Sequence, residues 1–160
     1  MNKADSPRQL ILLAHGSRDS NWCATFENGL QVINGALAQD ACLAYMEMAS
    51  PSLETVIANH YLRGVRQFNI LPLFFAAGRH LLHDVPEQIE NLQQTHPGLD
   101  VRLLEAVGRQ DEFWQALGTM IAGVYELDDI ESPSSTVVNE AVSAQYEAVI
   151  KSVNATTAKN

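Results

Sequence analysis

The sequence has few basic residues. It contains 10 lysines and arginines against 19 aspartates and glutamates, and its formal net charge is −9. A protein that binds nucleic acid needs a basic surface that displaces counterions from phosphates, and an anionic membrane surface attracts the same kind of patch. The charge therefore argues against nucleic acids and membrane surfaces as partners.

Long hydrophobic runs and cysteines are also scarce. The longest apolar run, around Ile70–Ala77, is far shorter than the roughly 20 residues that span a bilayer. The segment Met1–Arg8 is polar and lacks the apolar stretch of a signal peptide. Two cysteines, Cys23 and Cys42, are typical of free thiols in a reducing compartment. We expect a cytoplasmic protein.

The sequence contains enough hydrophobic residues to form one core. Of its 160 residues, 46% are hydrophobic. Short apolar runs predict strands at Gln9–Ala14, Cys42–Met48, Phe68–Leu73 and Val101–Glu105. Helical spacing predicts helices from Asn21 to about Ala38, Ser50 to Arg63, His80 to about Thr95 and Asp111 to about Glu126. Four strands that alternate with four helices predict an α/β fold, with a four-stranded parallel sheet and helices on both faces.

Prolines and glycines refine these boundaries. Ser50 is placed to cap the second helix with Pro51 at its first position, and Gly64 is placed to end it. Pro72 weakens the prediction of a central third strand, because proline cannot donate a hydrogen bond to the ladder. The segment His96–Gly98 predicts a turn.

The composition changes after residue 126. Residues 1–126 carry the alternating pattern and are predicted to form one α/β domain. Residues 127–160 are first acidic and then rich in serine and proline. We expect them to form a peripheral C-terminal tail, partly disordered, with room for one weakly amphipathic helix.

Polar and charged residues follow each predicted strand. In an open α/β sheet, ligands bind beyond the carboxyl ends of the strands, so these residues are the candidates for a site. In chain order they are His15, Ser17, Arg18, Asp19, Glu47, Gly78, Arg79, His80, His83, Glu105, Gly108 and Arg109. Histidines with a carboxylate at one edge of a sheet resemble the ligands of a borderline divalent cation.

Each of these residues also has an ordinary interpretation. A histidine after a strand more often packs in a turn, Glu47 is also explained as a solvated strand end, and arginines in loops are usually solvated charges. His60 in a helix and His96 in a turn are interpreted as structural. A hydrolase based on Ser17 and His15 is poorly supported, because the Gly-x-Ser-x-Gly motif is absent. Glycine-rich nucleotide-binding motifs are also absent.

Longer motifs carry a resemblance to a known family. They are LLAHGSRD (Leu12–Asp19), AYMEMASPSLET (Ala44–Thr55) and LPLFFAAGRHLLHDVPEQI (Leu71–Ile89), followed by HPG (His96–Gly98) and AVG (Ala106–Gly108). They resemble the short CbiX-type sirohydrochlorin chelatases, which are class II chelatases of cobalamin and sirohaem biosynthesis. The resemblance covers about residues 8–125. It implies a flavodoxin-like three-layer fold and a lyase that inserts a divalent metal ion into sirohydrochlorin, with the loss of two pyrrole protons.

The resemblance also implies roles for individual residues. His15 and His80 match the family's histidines and would bind the metal, and two neutral imidazoles hold such an ion reversibly. Glu47 would balance the charge of the metal or relay a proton, and it is a further candidate ligand. His83 lies three residues after His80 and is an auxiliary candidate. No tightly bound cofactor is expected, because the metal ion is a substrate.

The substrate that the resemblance implies is a polycarboxylate, which the net charge of the chain would repel. Arg18, Arg79 and Arg109 fall at the strand ends, and a guanidinium group pairs well with a carboxylate. We expect them to bind the substrate together with Ser17 and Gly78. Arg79 stands where many relatives have a second glycine before the histidine, so this loop departs from the family pattern.

Three expectations concern partners and specificity. Larger class II chelatases resemble two such lobes in one chain, so a one-lobe chain is expected to form a homodimer. Family association favours Co²⁺ over Fe²⁺ or Ni²⁺, although the same ligands accept all three. The alternative to an enzyme is a non-enzymatic carrier of metal or tetrapyrrole with the same fold, which would stop at stoichiometric binding.

Overall fold

The computed structural model describes residues 8–76, 78 and 83–126. The chain divides into two units, Met1–Leu117 and Gly118–Asn160. Of the second unit, the structure describes only the end of one helix, so the predicted tail at 127–160 lies outside the described residues.

Four strands form one parallel sheet. They are β1 (Gln9–Ala14), β2 (Cys42–Tyr45), β3 (Gln67–Pro72) and β4 (Asp100–Leu103), and their order across the sheet is β2-β1-β3-β4. The helices are α1 (Ser20–Ala36), α2 (Leu53–Leu62), α3 (Val85–Thr95) and α4 (Asp111–Glu126). This arrangement confirms the predicted α/β fold. Among the described residues, no helix is long and apolar enough to cross a membrane.

Both faces of the sheet are apolar, and successive residues of β1 point to opposite faces. Ile11 and Leu13 belong to a cluster that α2 and α3 cover, with Ile57 and Ile89 among its buried residues. Leu12 belongs to the cluster on the other face. There the side chains that pack against it from α1 are partly buried, namely Trp22, Cys23, Phe26 and Leu30. Because β1 lies between β2 and β3, its run of apolar residues is buried on both faces.

Two predicted boundaries at the end of β2 are wrong. The strand ends at Tyr45 instead of Met48, because the chain bends after Tyr45 and Met48 adopts a left-handed conformation with φ 58°. Helix α2 begins at Leu53, and its N-cap is Ser52, whose hydroxyl accepts a hydrogen bond from the Thr55 N–H at 3.2 Å. The predicted cap and first position, Ser50-Pro51, lie in the preceding turn and are joined by a cis peptide bond.

Pro72 and Gly64 both lie at the end of an element, where their backbone properties fit. Pro72 is in a central strand, but it is the last residue of β3, so the missing donor falls at the end of the ladder. The next residue, Leu73, donates its N–H to the Leu13 carbonyl at 2.8 Å. Gly64 follows α2 with φ +93°, as its predicted role in ending the helix requires.

The start of the third helix is described only in part. The prediction placed it at His80, and residues 79–82 lie outside the described residues. In the described chain, α3 begins at Val85 with Pro86 in its first turn. Strand β4 is shifted by one residue at its start and ends at Leu103 instead of Glu105.

Candidate functional site

The carboxyl ends of β1 and β2 are joined beyond the strands themselves. Ala14 and Tyr45 are the last paired residues. The pattern then continues, because Met46 donates its N–H to the Ala14 carbonyl at 2.9 Å and Glu47 donates its N–H to the His15 carbonyl at 3.0 Å. This extension of the ladder places the side chains of His15 and Glu47 next to each other.

His15 and Glu47 form an accessible pair. The distance from His15 Nε2 to Glu47 Oε1 is 3.4 Å, and the two side chains are 44% and 46% exposed. The ring of Phe74 meets the His15 ring edge-on, with 6.4 Å between centroids. An imidazole nitrogen and a carboxylate are both ligands that borderline divalent cations accept, and both are also groups that transfer protons.

The pair depends on a glycine that lies between the strand and the turn. Gly16 has φ +99°, and a Cβ at this position would overlap the carbonyl oxygen of Glu47. Both the backbone conformation and the close approach therefore require glycine. The sequence does not reveal this close approach, because Gly16 and Glu47 are distant in the chain.

A second close approach joins the loops that follow β3 and β4. Gly108 donates its N–H to the Phe74 carbonyl at 3.0 Å, and a Cβ on Gly108 would overlap the backbone of Phe75. The Phe75 ring in turn lies against Phe113, with 5.3 Å between centroids. The loop that carries Phe74 thus contacts the segment after β4 on one side and His15 on the other.

Ser17 and Asp19 have local structural roles. The Ser17 hydroxyl accepts a hydrogen bond from the Asp19 N–H at 3.0 Å, and the Asp19 carboxylate caps α1 by accepting from the Asn21 N–H at 2.9 Å. Arg18 lies between them and is exposed. The turn therefore presents Arg18 to solvent at the same edge of the sheet as His15.

The remaining predicted residues are placed as follows. Arg109 is exposed and lies 3.8 Å from the Glu105 carboxylate, a surface pair that contributes little to stability. Gly78 and His83 are exposed, and His83 precedes α3. Arg79 and His80 lie outside the described residues.

Within the described residues, His15 and Glu47 are the predicted ligands that the structure brings together. Over the same part of the chain, no group of three or more histidine, cysteine, aspartate or glutamate side chains could hold a metal ion. The predicted ligands were His15, His80, Glu47 and His83. Of these, the structure shows His15 and Glu47 as a pair, and His83 is exposed before α3. His80 lies outside the described residues.

The two histidines interpreted as structural are indeed held by packing. His60 lies 2.9 Å from the Val56 carbonyl through Nδ1 and 3.4 Å from Cys42 Sγ through Nε2. Burial raises the pKa of the Cys42 thiol, which favours its protonated form. His96 ends α3 and stacks edge-on against Tyr61, with 4.8 Å between centroids.

Comparison with known proteins identifies a family. The family model CbiX matches residues 9–123. The sirohydrochlorin ferrochelatase of Bacillus subtilis is 22% identical over 111 residues, which are 68% of this chain and 42% of that protein. The sirohydrochlorin cobaltochelatase of Sulfurisphaera tokodaii is 26% identical over 110 residues, which are 68% of this chain and 86% of that protein. The chain thus spans less than half the length of the ferrochelatase that it matches.

Solved structures give the same result for the fold. The crystal structure of a putative cobalamin biosynthesis CbiX protein from Marinobacter aquaeolei VT8 is 43% identical, with a TM-score of 0.69 over 75% of this chain and 98% of that one. The structure of SirB from Bacillus subtilis with Fe³⁺ is 22% identical, with a TM-score of 0.62 over 79% of this chain and 49% of that one. The family match covers most of the chain, so the chain belongs to the CbiX family.

Proposed function

We propose that this protein is a sirohydrochlorin chelatase, which inserts a divalent metal ion into the tetrapyrrole for cobalamin or sirohaem biosynthesis. Membership of the CbiX family and relatives named as sirohydrochlorin ferrochelatase and cobaltochelatase support the proposal. The observation that carries it is the half-exposed pair of His15 and Glu47 at the carboxyl edge of the sheet. The metal ion is a substrate here, so it must be held reversibly.

The chemistry needs a metal ligand and a proton acceptor at one place. The ion must exchange water for ring nitrogens, and two pyrrole N–H groups must lose their protons. His15 supplies an imidazole nitrogen, and Glu47, 3.4 Å away, supplies a carboxylate that balances the charge of the ion or takes up a proton. His80 is proposed as the second imidazole, on the basis of its position in the sequence motif.

The arginines at this edge are proposed to bind the carboxylates of the substrate. They are Arg18, Arg79 and Arg109. Arg18 is exposed, and Arg109 is only loosely paired with Glu105 at 3.8 Å, so a substrate carboxylate can replace Glu105 at little cost. Because the chain as a whole is negative, these local charges must offset its repulsion of a polyanion.

We further propose that two copies of the chain form the complete site. The chain covers 98% of the length of the similar CbiX structure but only 49% of the SirB chain. A homodimer would supply the second wall that a longer chain supplies internally. Sedimentation at micromolar concentration tests this, and a monomer would contradict it.

The central experiment is an insertion assay with sirohydrochlorin and Co²⁺, Fe²⁺ or Ni²⁺ separately, followed by absorbance. We expect multiple turnovers, with Co²⁺ the most rapid. A reaction that stops at one equivalent would indicate a carrier instead of an enzyme, and no reaction with any metal would overturn the proposal.

The variant His80→Ala tests the second imidazole. We expect it to lose insertion while sirohydrochlorin binding stays measurable, because the residue is assigned to the metal and not to the tetrapyrrole. His96→Ala is the matched control, since the His96 ring contacts Tyr61 edge-on and His96 ends α3. Retained turnover in His80→Ala would contradict the assignment.

A further inference from the structure

Three aromatic rings form an exposed cluster beside the candidate site. They belong to Phe75, Phe113 and Trp114, and we call them the aromatic platform. The centroids of Phe75 and Phe113 are 5.3 Å apart, those of Phe113 and Trp114 are 5.4 Å apart, and those of Phe75 and Trp114 are 6.1 Å apart. Although they contact each other, Phe75 is 62% exposed and Trp114 is 49% exposed.

The platform is held in place by the backbone of the neighbouring loop. Trp114 donates its indole N–H to the Gly108 carbonyl at 2.7 Å. Gly108 approaches Phe75 so closely that a side chain would not fit, and its own N–H is bonded to the Phe74 carbonyl at 3.0 Å. Rings fixed in this way lose little conformational entropy when a ligand binds to them.

The platform continues directly from the proposed site. Phe74 precedes Phe75 in the chain, and the Phe74 ring lies against the ring of His15. Arg109 follows Gly108, the residue whose carbonyl fixes Trp114. Two adjoining loops, one after β3 and one after β4, therefore link a group assigned to the metal, an exposed aromatic surface and an arginine.

These features match the chemistry of one kind of ligand. A conjugated macrocycle has a flat apolar face that stacks on aromatic rings, and its carboxylates lie at the periphery, where a guanidinium group can bind them. Exposed apolar clusters of this kind commonly mark ligand or partner sites. A ligand of this size that is centred on His15 would extend over neighbouring loops.

We propose that the aromatic platform positions the tetrapyrrole by stacking against its ring, with Trp114 and Phe75 making the main contacts. This inference rests on the proposed function, since it concerns the same substrate. These are positioning residues: they hold the ring while His15 and Glu47 act on the metal and the protons. They determine the affinity for the tetrapyrrole and leave the chemical step unchanged.

The test measures tetrapyrrole binding apart from turnover. Sirohydrochlorin is titrated without metal into the full-length protein and into the variants Trp114→Ala and Phe75→Leu, and absorbance gives Kd. We expect Kd to rise about tenfold, as the loss of one aromatic contact implies, and KM for the tetrapyrrole to rise in parallel. The kcat value and KM for the metal stay unchanged.

Two controls separate stacking from a structural role. Trp114→Phe loses the indole hydrogen bond but keeps a ring, so we expect it to restore most of the affinity. Leu62→Ala removes an apolar side chain that is 84% exposed at the end of α2, and it should leave Kd unchanged. Thermal unfolding of each variant shows whether the fold is retained.

The outcomes distinguish this inference from the proposed function. If Kd is unchanged in Trp114→Ala and Phe75→Leu, the platform inference is wrong, even if insertion proceeds. If the variants change the oligomeric state but not Kd, the cluster is an interface between copies, and the inference is again wrong. Wild-type protein that binds the tetrapyrrole without inserting any metal would overturn the proposed function, while the Kd values still decide on the platform. Wild-type protein that does not bind sirohydrochlorin would overturn both.

Discussion

The two edges of the sheet use polar side chains differently. At the amino edge, side chains tie the chain together: Gln9 donates to the Asp40 carbonyl at 2.8 Å, and Arg8 forms an ion pair with Asp100. At the carboxyl edge, His15 and Glu47 are paired at 3.4 Å and are almost half exposed. The first edge is organised for stability, and the second presents chemical groups to solvent.

Two histidines show what this difference means. His60 has one ring nitrogen against the Val56 carbonyl, the other against Cys42, and its ring against Phe68 at 6.3 Å. His15 has a carboxylate beside it and much of its surface accessible. The residue type is the same, so the neighbouring groups and the exposure decide which histidine can take part in chemistry.

The largest expected effect comes from replacing each of these two histidines by alanine. His15→Ala should lower metal insertion by about 100-fold or more, because it removes a ligand and a proton-transfer group, and should leave the free energy of unfolding nearly unchanged. His60→Ala should do the opposite, with a loss of about 1–2 kcal/mol in stability and normal turnover. Insertion rates and urea unfolding measure both effects, and equal loss of turnover in the two variants would contradict the contrast.

A second comparison uses two glycines, one near each edge. Gly16→Ala should destabilise the fold by about 1–3 kcal/mol and also reduce turnover, because the new Cβ must displace the carbonyl of Glu47. Gly64→Ala has a similar positive φ but no neighbouring atom within 4 Å, so only the conformational cost of about 1 kcal/mol remains. Turnover in Gly64→Ala should therefore match the wild type. An active Gly16→Ala would show that the position of Glu47 is not critical.

The arginines allow the same comparison for charge. Arg18→Gln with Arg109→Gln should raise KM for sirohydrochlorin about tenfold, because two candidate partners of its carboxylates are lost. Arg63→Gln with Arg66→Gln changes the net charge equally, but these residues follow the end of α2, toward the amino edge. This control should leave KM near the wild-type value. If both pairs raise KM equally, general electrostatics and not local binding explains the effect.

The smallest effect concerns Tyr45, the last residue of β2. Burial raises the pKa of its hydroxyl to about 12. In the unfolded chain this group loses its proton near pH 10, so between about pH 10 and 12 the unfolded state binds fewer protons and the stability falls as the pH rises. Tyr45→Phe lacks this contribution. The difference in unfolding free energy between wild type and variant should therefore change over this range and stay constant below it, which denaturant titrations measure.

Sequence reasoning predicted the fold, and it was least accurate at turns. The apolar runs and helical spacing are local patterns, and they predicted the four strands and the helices α1 to α4 of the described residues. The end of β2 was predicted too late because Met46 and Met48 are apolar, although the chain bends there. Ser50 and Pro51 are a typical helix start, but the turn places Ser52 in the capping position.

The candidate site was predicted as a set of residues, and its arrangement was not predicted. The family motifs and the strand ends identified His15 and Glu47. The sequence has no pattern that reveals the contact between Gly16 and the Glu47 backbone, or the one between Gly108 and the backbone of Phe75, because these join segments that are distant in the chain. The aromatic platform was missed for the same reason: Phe113 and Trp114 belong to a helix and Phe75 to a loop.

The sequence by itself determined the alternation of strands and helices, the excess of acidic charge and the polar residues that follow each strand, since all of these are properties of neighbouring residues. Only the tertiary structure decided the order β2-β1-β3-β4, and with it the pairing of His15 with Glu47. Strand order results from the packing of helices on both faces of the sheet, which depends on contacts between distant segments. The fold makes the ends of β1 and β2 neighbours, and the chemistry proposed for the candidate site depends on this.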